Sequence, residues 1–145
     1  MLNVDQMLDE FMEKCRNKFG NKLISIVLFG SYAKGTYTEY SDIDLLVVAK
    51  GLPENRMARH RILNEVKLEF IYKYHIRFSP VFVEPGDLSV EHINPLVYGI
   101  LTGYRVLYDS LNFWSNFMVK LKPKIHEKRP IYIKDKQQWK IAEMI

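Results

Sequence analysis

Asp42 and Asp44, separated by Ile43 and followed by the apolar run Leu45 to Val48, are the residues of this chain best placed to do chemistry. In a strand, residues two apart share a face. The two carboxylates therefore point together while Ile43 turns towards the core. Held side by side they repel, and a cation between them relieves the repulsion; hard oxygen ligands suit Mg²⁺ or Mn²⁺. Upstream, Gly30-Ser31 ends a second apolar run, Ile24 to Phe29. Gly30 lets a ligand approach the backbone, and Ser31 offers an N-cap oxygen to a short helix. Backbone N–H groups in such a turn suit phosphate. A lone Gly-Ser is common, and a lone Asp-x-Asp is usually a turn or a solvated strand end. Both in order, each attached to an apolar strand, are far more specific and suggest a metal–nucleoside triphosphate site.

Gly30-Ser31, Lys34-Gly35 and Ser41-Asp42-Ile43-Asp44-Leu45 resemble the motif of the DNA polymerase β-type nucleotidyltransferase superfamily. Within it, the chain is most similar to the minimal nucleotidyltransferases. The resemblance runs from about residue 5 to 110. It implies an α/β fold, a mixed central β-sheet flanked by helices in the manner of the polymerase β palm. It implies that Asp42 and Asp44 are catalytic and bind Mg²⁺ or Mn²⁺. Gly30, Ser31, Lys34 and Ser41 would then bind the nucleotide. The donor would be a nucleoside triphosphate, ATP by family habit, and the reaction the transfer of AMP. Many relatives are encoded beside a helical HEPN protein, as antitoxin and toxin, and characterised ones adenylylate a tyrosine of that partner. No helical substrate region is evident in this chain, so its acceptor is expected to be a separate molecule. Active relatives carry a third carboxylate on the third strand. Counting back from Pro85 puts Ser79 there, and no acid lies between Ile76 and Val83. Glu84 and Glu69 are the alternative carboxylates.

The elements around this motif follow from periodicity. Val4, Leu8, Phe11, Met12, Cys15 and Phe19 recur at helical steps and predict a first helix ended by Gly20. A long helix is expected from Glu54 to Tyr74, then a strand from Ile76 to Glu84. Pro80 removes one ladder donor there and places that strand at an edge. Two short helical pieces, split at Asn94-Pro95, should precede a strand over Tyr104 to Tyr108. A helix over Leu111 to Leu121 should stop at Pro123. Lys122 to Lys136 reads as an extended basic arm, with Asp135 capping a last helix that carries Trp139, Ala142 and Ile145. Residues 1–121 form the expected nucleotidyltransferase domain, and 122–145 its basic arm and C-terminal helix. Tyr32, Tyr37 and Tyr40 either line the nucleotide pocket or pack under the loop.

The 145 residues fit one domain, with 48% hydrophobic residues for its core. The formal charge is +4, unevenly spread: residues 120 to 140 hold eight Lys or Arg and two acids. That stretch is most simply a solvated basic face; RNA, DNA or an acidic partner is the alternative. No apolar stretch approaches the roughly 20 residues that span a bilayer. The acidic amphipathic start does not resemble a signal peptide, and the single cysteine, Cys15, excludes an internal disulfide. A cytoplasmic location is expected. Three functions remain open on these grounds: an active transferase, a catalytically weakened antitoxin-like binding partner, and an RNA-binding protein using the basic arm. Oligomeric state is not encoded in any readable pattern.

Overall fold

Two apolar runs build the centre of the protein. The computed structural model describes residues 3–128, 130–133 and 138–141, with side-chain environments for residues 3–126. Strand β1 is Leu23–Phe29 and β2 is Ile43–Ala49, antiparallel to it. Strand β3, Phe78–Val83, pairs parallel with β2. Strand β4, Tyr104–Asp109, pairs antiparallel with the other side of β1. The order is β3-β2-β1-β4, a mixed sheet of the expected kind, with β3 at an edge as Pro80 requires.

Strand alternation divides the core in two. Ile26, Leu28, Ile43, Leu45 and Val47 point to one face, against helix α1, Val4–Phe19, and helix α4, Asn64–Tyr74. Val27, Leu46 and Val48 point to the other, against helix α5, Pro95–Ile100, and helix α6, Phe113–Lys128. Buried on both faces, β2 reads as a continuous apolar run. In α1, Asn3 caps the start by accepting from Asp5 N at 2.9 Å, and Gly20 closes the end at φ +56°. Phe11 stacks on Phe78 with centroids 4.5 Å apart, which fixes α1 across the sheet. Cys15 is fully buried, and burial pushes its thiol up to about 12.

Several expected elements are corrected. The Glu54–Tyr74 segment is two helices, α3, Arg56–Arg59, and α4, because Leu63 turns the chain at φ +59°. Ile62 and Leu63, beside the turn, and Phe70 of α4 all belong to or pack against one core cluster. Of the two pieces before Tyr104 only α5 is helical. Pro85–Asp87 is a 3₁₀ turn closed by a capping box between Glu84 and Asp87. Helix α6 does not stop at Pro123. Leu121 is buried and Ile125 packs on the same cluster, so burial continues at helical spacing while Pro123 faces solvent. The expected arm is therefore helical up to Lys128. It then forms a hairpin of β5, Pro130–Ile133, and β6, Gln138–Ile141, in which Tyr132 pairs with Trp139. Trp139 thus lies on a strand and not on the expected last helix; Asp135, Ala142 and Ile145 lie outside the described residues. Among the described residues no helix is long and apolar enough to cross a membrane.

One ion pair pins α3. Arg59 donates to Asp87 Oδ2 at 2.7 Å and to the Pro53 carbonyl at 2.7 Å. Burial resists ionisation of Asp87, but the Glu84 N–H and the Arg59 guanidinium outweigh it and hold the carboxyl below its ordinary value. The resulting stabilisation is complete above the ordinary carboxylate range and is lost as pH falls through the depressed value. Arg59→Ala is expected to destabilise the fold by roughly 1–3 kcal/mol near neutral pH, and by clearly less in acid. Thermal unfolding at both pH values checks this.

Candidate active site

The carboxylate pair stands where β2 begins. Ile43 N donates to the Arg77 carbonyl at 2.9 Å, fixing this end of β2 to the start of β3. Asp44 is the second residue of β2 and lies between Phe29 on β1 and Ser79 on β3. Its side chain shares the face of Leu46 and Val48, at the end of that face where the core stops. Asp42 shares the same parity, one step before the strand. Burial raises the Asp44 carboxyl above its ordinary value, the neighbouring Asp42 raises it further, and Lys34 pulls it back in part. Two like charges are thus held together at a partly buried site, the arrangement that a divalent cation relieves. Two carboxylates with remaining positions for phosphate oxygens suit Mg²⁺. Among the described residues no third acid, histidine or cysteine joins them.

The turn after β1 sits directly on this pair. Gly30 has φ +72°, and a Cβ there would collide with the Asp44 carboxylate. Only glycine allows this approach, so the backbone at residue 30 lies directly against the Asp44 carboxylate. The expected N-cap role of Ser31 is corrected. Helix α2 is Gly30–Lys34, its N-cap is Phe29, and no side chain caps it, since Ser31 is already its second residue. Lys34 lies in the last turn; its Nζ donates to Thr102 Oγ1 at 3.2 Å. Ser41 serves the loop. Its Oγ accepts from Thr38 N at 2.9 Å, and its own N–H donates to the Thr38 carbonyl.

Ser79 is confirmed opposite Asp44, and its parity with Val81 and Val83 puts it on the same face. Neither alternative carboxylate fills its place. Glu84 follows the far end of β3, where its side chain accepts from Gly51 N at 3.3 Å. Glu69 is exposed on α4.

Sequence reasoning missed a second group. A cleft of about 320 Å³ lies on the β3 flank of Asp42 and is lined also by Tyr40, Ile71, His75 and Arg77. His75 ends α4 at φ +56°, a conformation glycine usually takes. No local pattern ties His75 or Arg77 to residue 42, since only parallel pairing of β2 with β3 joins them. Thr102 and Gly103 were missed too. A Cβ on Gly103 would strike the Lys34 side chain, and a glycine between α5 and β4 was the one available signal.

Comparison with known proteins agrees with this geometry. Residues 8–142 match the family described as the nucleotidyltransferase domain. A Methanocaldococcus jannaschii protein, provisionally named a protein adenylyltransferase, is 57% identical over 145 residues, covering 100% of this chain and 97% of that protein. A second protein of that organism with the same kind of name is 45% identical over 108 residues, 74% of this chain and all of its own length. Among solved structures, a toxin–antitoxin crystal structure with AMP-PNP superposes with a TM-score of 0.51 at 20% identity, covering 88% of both chains. The chain belongs to the family of the nucleotidyltransferase domain.

Proposed function

We propose that this protein transfers AMP from a Mg²⁺- or Mn²⁺-bound nucleoside triphosphate, ATP in the first place, to a hydroxyl on a separate protein. The observation that carries this is the Asp42–Asp44 pair on one face with the Gly30 backbone against it. The name of the 57%-identical relative supports protein as the acceptor class. The resemblance, together with a neighbour described as a toxin–antitoxin structure with AMP-PNP, makes a HEPN-type partner the natural candidate.

Asp42 and Asp44 hold the cation. When bound, a divalent ion there neutralises the triphosphate and lowers the pKa of the attacking hydroxyl. The Gly30 and Ser31 backbone N–H groups and the Ser31 hydroxyl bind the outer phosphates. Lys34, parked on Thr102, is close enough to Asp44 to influence it and supplies a further cation for phosphate. Ser41 holds the turn that presents Asp42. The acceptor enters on the β3 flank, opposite α2.

Ser79 beside Asp44 favours a second reading. A serine neither completes an acceptor-side cation nor takes a proton at neutral pH. The chain then binds the triphosphate but transfers slowly, or needs its partner to finish the site, and neutralises that partner by contact. Ser79→Asp restores the missing carboxylate in register. It is expected to raise transfer on the order of 10- to 100-fold, read as label from α-labelled ATP on a HEPN-type partner. An unchanged rate would show that Ser79 is not the limiting position.

A further inference from the structure

We propose that Thr102 and Gly103 are positioning residues, which aim the Lys34 ammonium at the outer phosphates of the triphosphate. This rests on the transferase reading above, which gives Lys34 a phosphate but nothing that aims it. A lysine stem is long and mobile, and freezing it when a ligand binds costs affinity. Two separate features of the connection between α5 and β4 freeze it beforehand. Gly103 seats the stem, and Thr102 holds the head.

The seat is built from the sheet outwards. Phe29 pairs with Tyr104, so Gly103 lies beside the end of β1, where α2 begins. Both ends of the connection are anchored. Ile100 is fully buried, Gly103 N donates to the Ile100 carbonyl at 3.1 Å, and the Tyr104 ring stands edge-on to the buried Trp114, with centroids 5.8 Å apart. The Lys34 stem crosses Gly103: an added Cβ would come 2.5 Å from Lys34 Cγ and 3.2 Å from its Cδ. Gly103 has no left-handed φ, so the lysine and not the backbone demands a glycine there. The Thr102 hydroxyl donates its one proton to the Gly99 carbonyl at 2.7 Å. Only lone pairs remain for Lys34, and Nζ donates to them at 3.2 Å. Among the described residues that is the one hydrogen bond of the ammonium, which leaves two N–H groups for a ligand.

The direction of the head follows from the helix and the strand order. Gly30 and Lys34 are four apart on α2 and share its face. Gly30 meets Asp44, so Lys34 stands one turn beyond the carboxylates, and its charge is felt at Asp44. Strand β4 lies on the far side of β1 from β3. Attack on the α-phosphorus is in line, so the leaving pyrophosphate points away from the acceptor. With the acceptor on the β3 flank, the outer phosphates extend towards α2 and β4, where Thr102 holds the ammonium.

The test is calorimetric titration of the full chain with Mg-ATP and with Mg-tripolyphosphate, which has no base or ribose. Lys34→Met should lower both affinities by about tenfold or more. Thr102→Val and Gly103→Ala should each lower both by roughly three- to tenfold. Thr102→Ser keeps the hydroxyl and should bind like the parent. In the Lys34→Met background, Thr102→Val and Gly103→Ala should cost nothing further, because the group they aim is gone. Losses that persist in that background would mean that residues 102 and 103 act through the fold, and overturn the proposal. Parent-like binding by Thr102→Val and Gly103→Ala, with Lys34→Met still weakened, overturns it too and leaves the transferase reading standing. A loss seen with Mg-ATP but not with Mg-tripolyphosphate takes Lys34 off the outer phosphates and also overturns it. Parent-like binding by Lys34→Met removes the lysine from the site along with its two supports. Failure of the parent chain to bind Mg-ATP overturns both readings together.

Discussion

Gly30→Ala is expected to fold yet to lose metal-dependent nucleotide affinity by about tenfold or more. The residue sits at φ +72°, where a side chain costs about 1–2 kcal/mol in any context. Here a second effect dominates. The new Cβ would run into the Asp44 carboxylate and lie 3.2 Å from its Cγ and 3.3 Å from its Cβ. Asp44 is short, so the carboxylate can escape only by rotating away from Asp42 or by moving the strand. Either breaks the pair that holds the cation. Gly35→Ala separates the two effects. Gly35 has φ +74° but nothing within 4 Å of an added Cβ. It should cost similar stability and keep nucleotide binding. Thermal unfolding and calorimetric titration of both variants give the comparison. Equal binding in the two would mean that close approach of Gly30 to Asp44 does not matter for the site.

The second large effect has two opposite parts. Asp44→Asn is expected to lower Mg-ATP affinity on the order of 100-fold, and the double variant with Asp42→Asn to abolish it. Without metal, the same Asp44→Asn should unfold at a higher temperature than the parent. Burial and the Asp42 charge both raise the Asp44 carboxyl above its ordinary value. A raised carboxyl favours the protonated form in the folded state. Its ionisation therefore costs stability, with the cost absent below the ordinary carboxylate range and complete above the raised value. An amide removes that cost at neutral pH and should change little in acid. Each kcal/mol recovered corresponds to roughly 2–4 °C for a chain of this size. Binding loss joined to a stability gain marks a strained functional pair. A variant that binds less and also melts lower near neutral pH would instead mark Asp44 as a structural residue.

The site's skeleton was legible because its signals are local. The β1 run, Gly30 and the Asp42-Ile43-Asp44 alternation lie within one stretch, and strand parity alone puts both carboxylates on one face. Pro80 announced an edge strand, and β3 is one. Counting to Ser79 also worked, since register places it beside Asp44. Errors came where tertiary packing overrode local rules. Pro123 would end an isolated helix, but burial of Leu121 and Ile125 carries α6 past it. The break at Leu63, at φ +59°, carries no local signal, because Ile62, Leu63, Val66 and Phe70 keep helical spacing across it. Tyr132 and Trp139 pair across a hairpin whose strands, four residues each, are too short to announce themselves. His75 and Arg77 reach the Asp42 cleft through a parallel pairing that sequence spacing does not encode.

The central claim is that Asp42 and Asp44 form a metal-dependent triphosphate site. Calorimetric titration of the intact chain with ATP, once in Mg²⁺ and once in EDTA, tests it most directly. Saturable binding in Mg²⁺ that disappears in EDTA is the predicted result. No binding of any nucleoside triphosphate in Mg²⁺, or equal binding in EDTA, would contradict it.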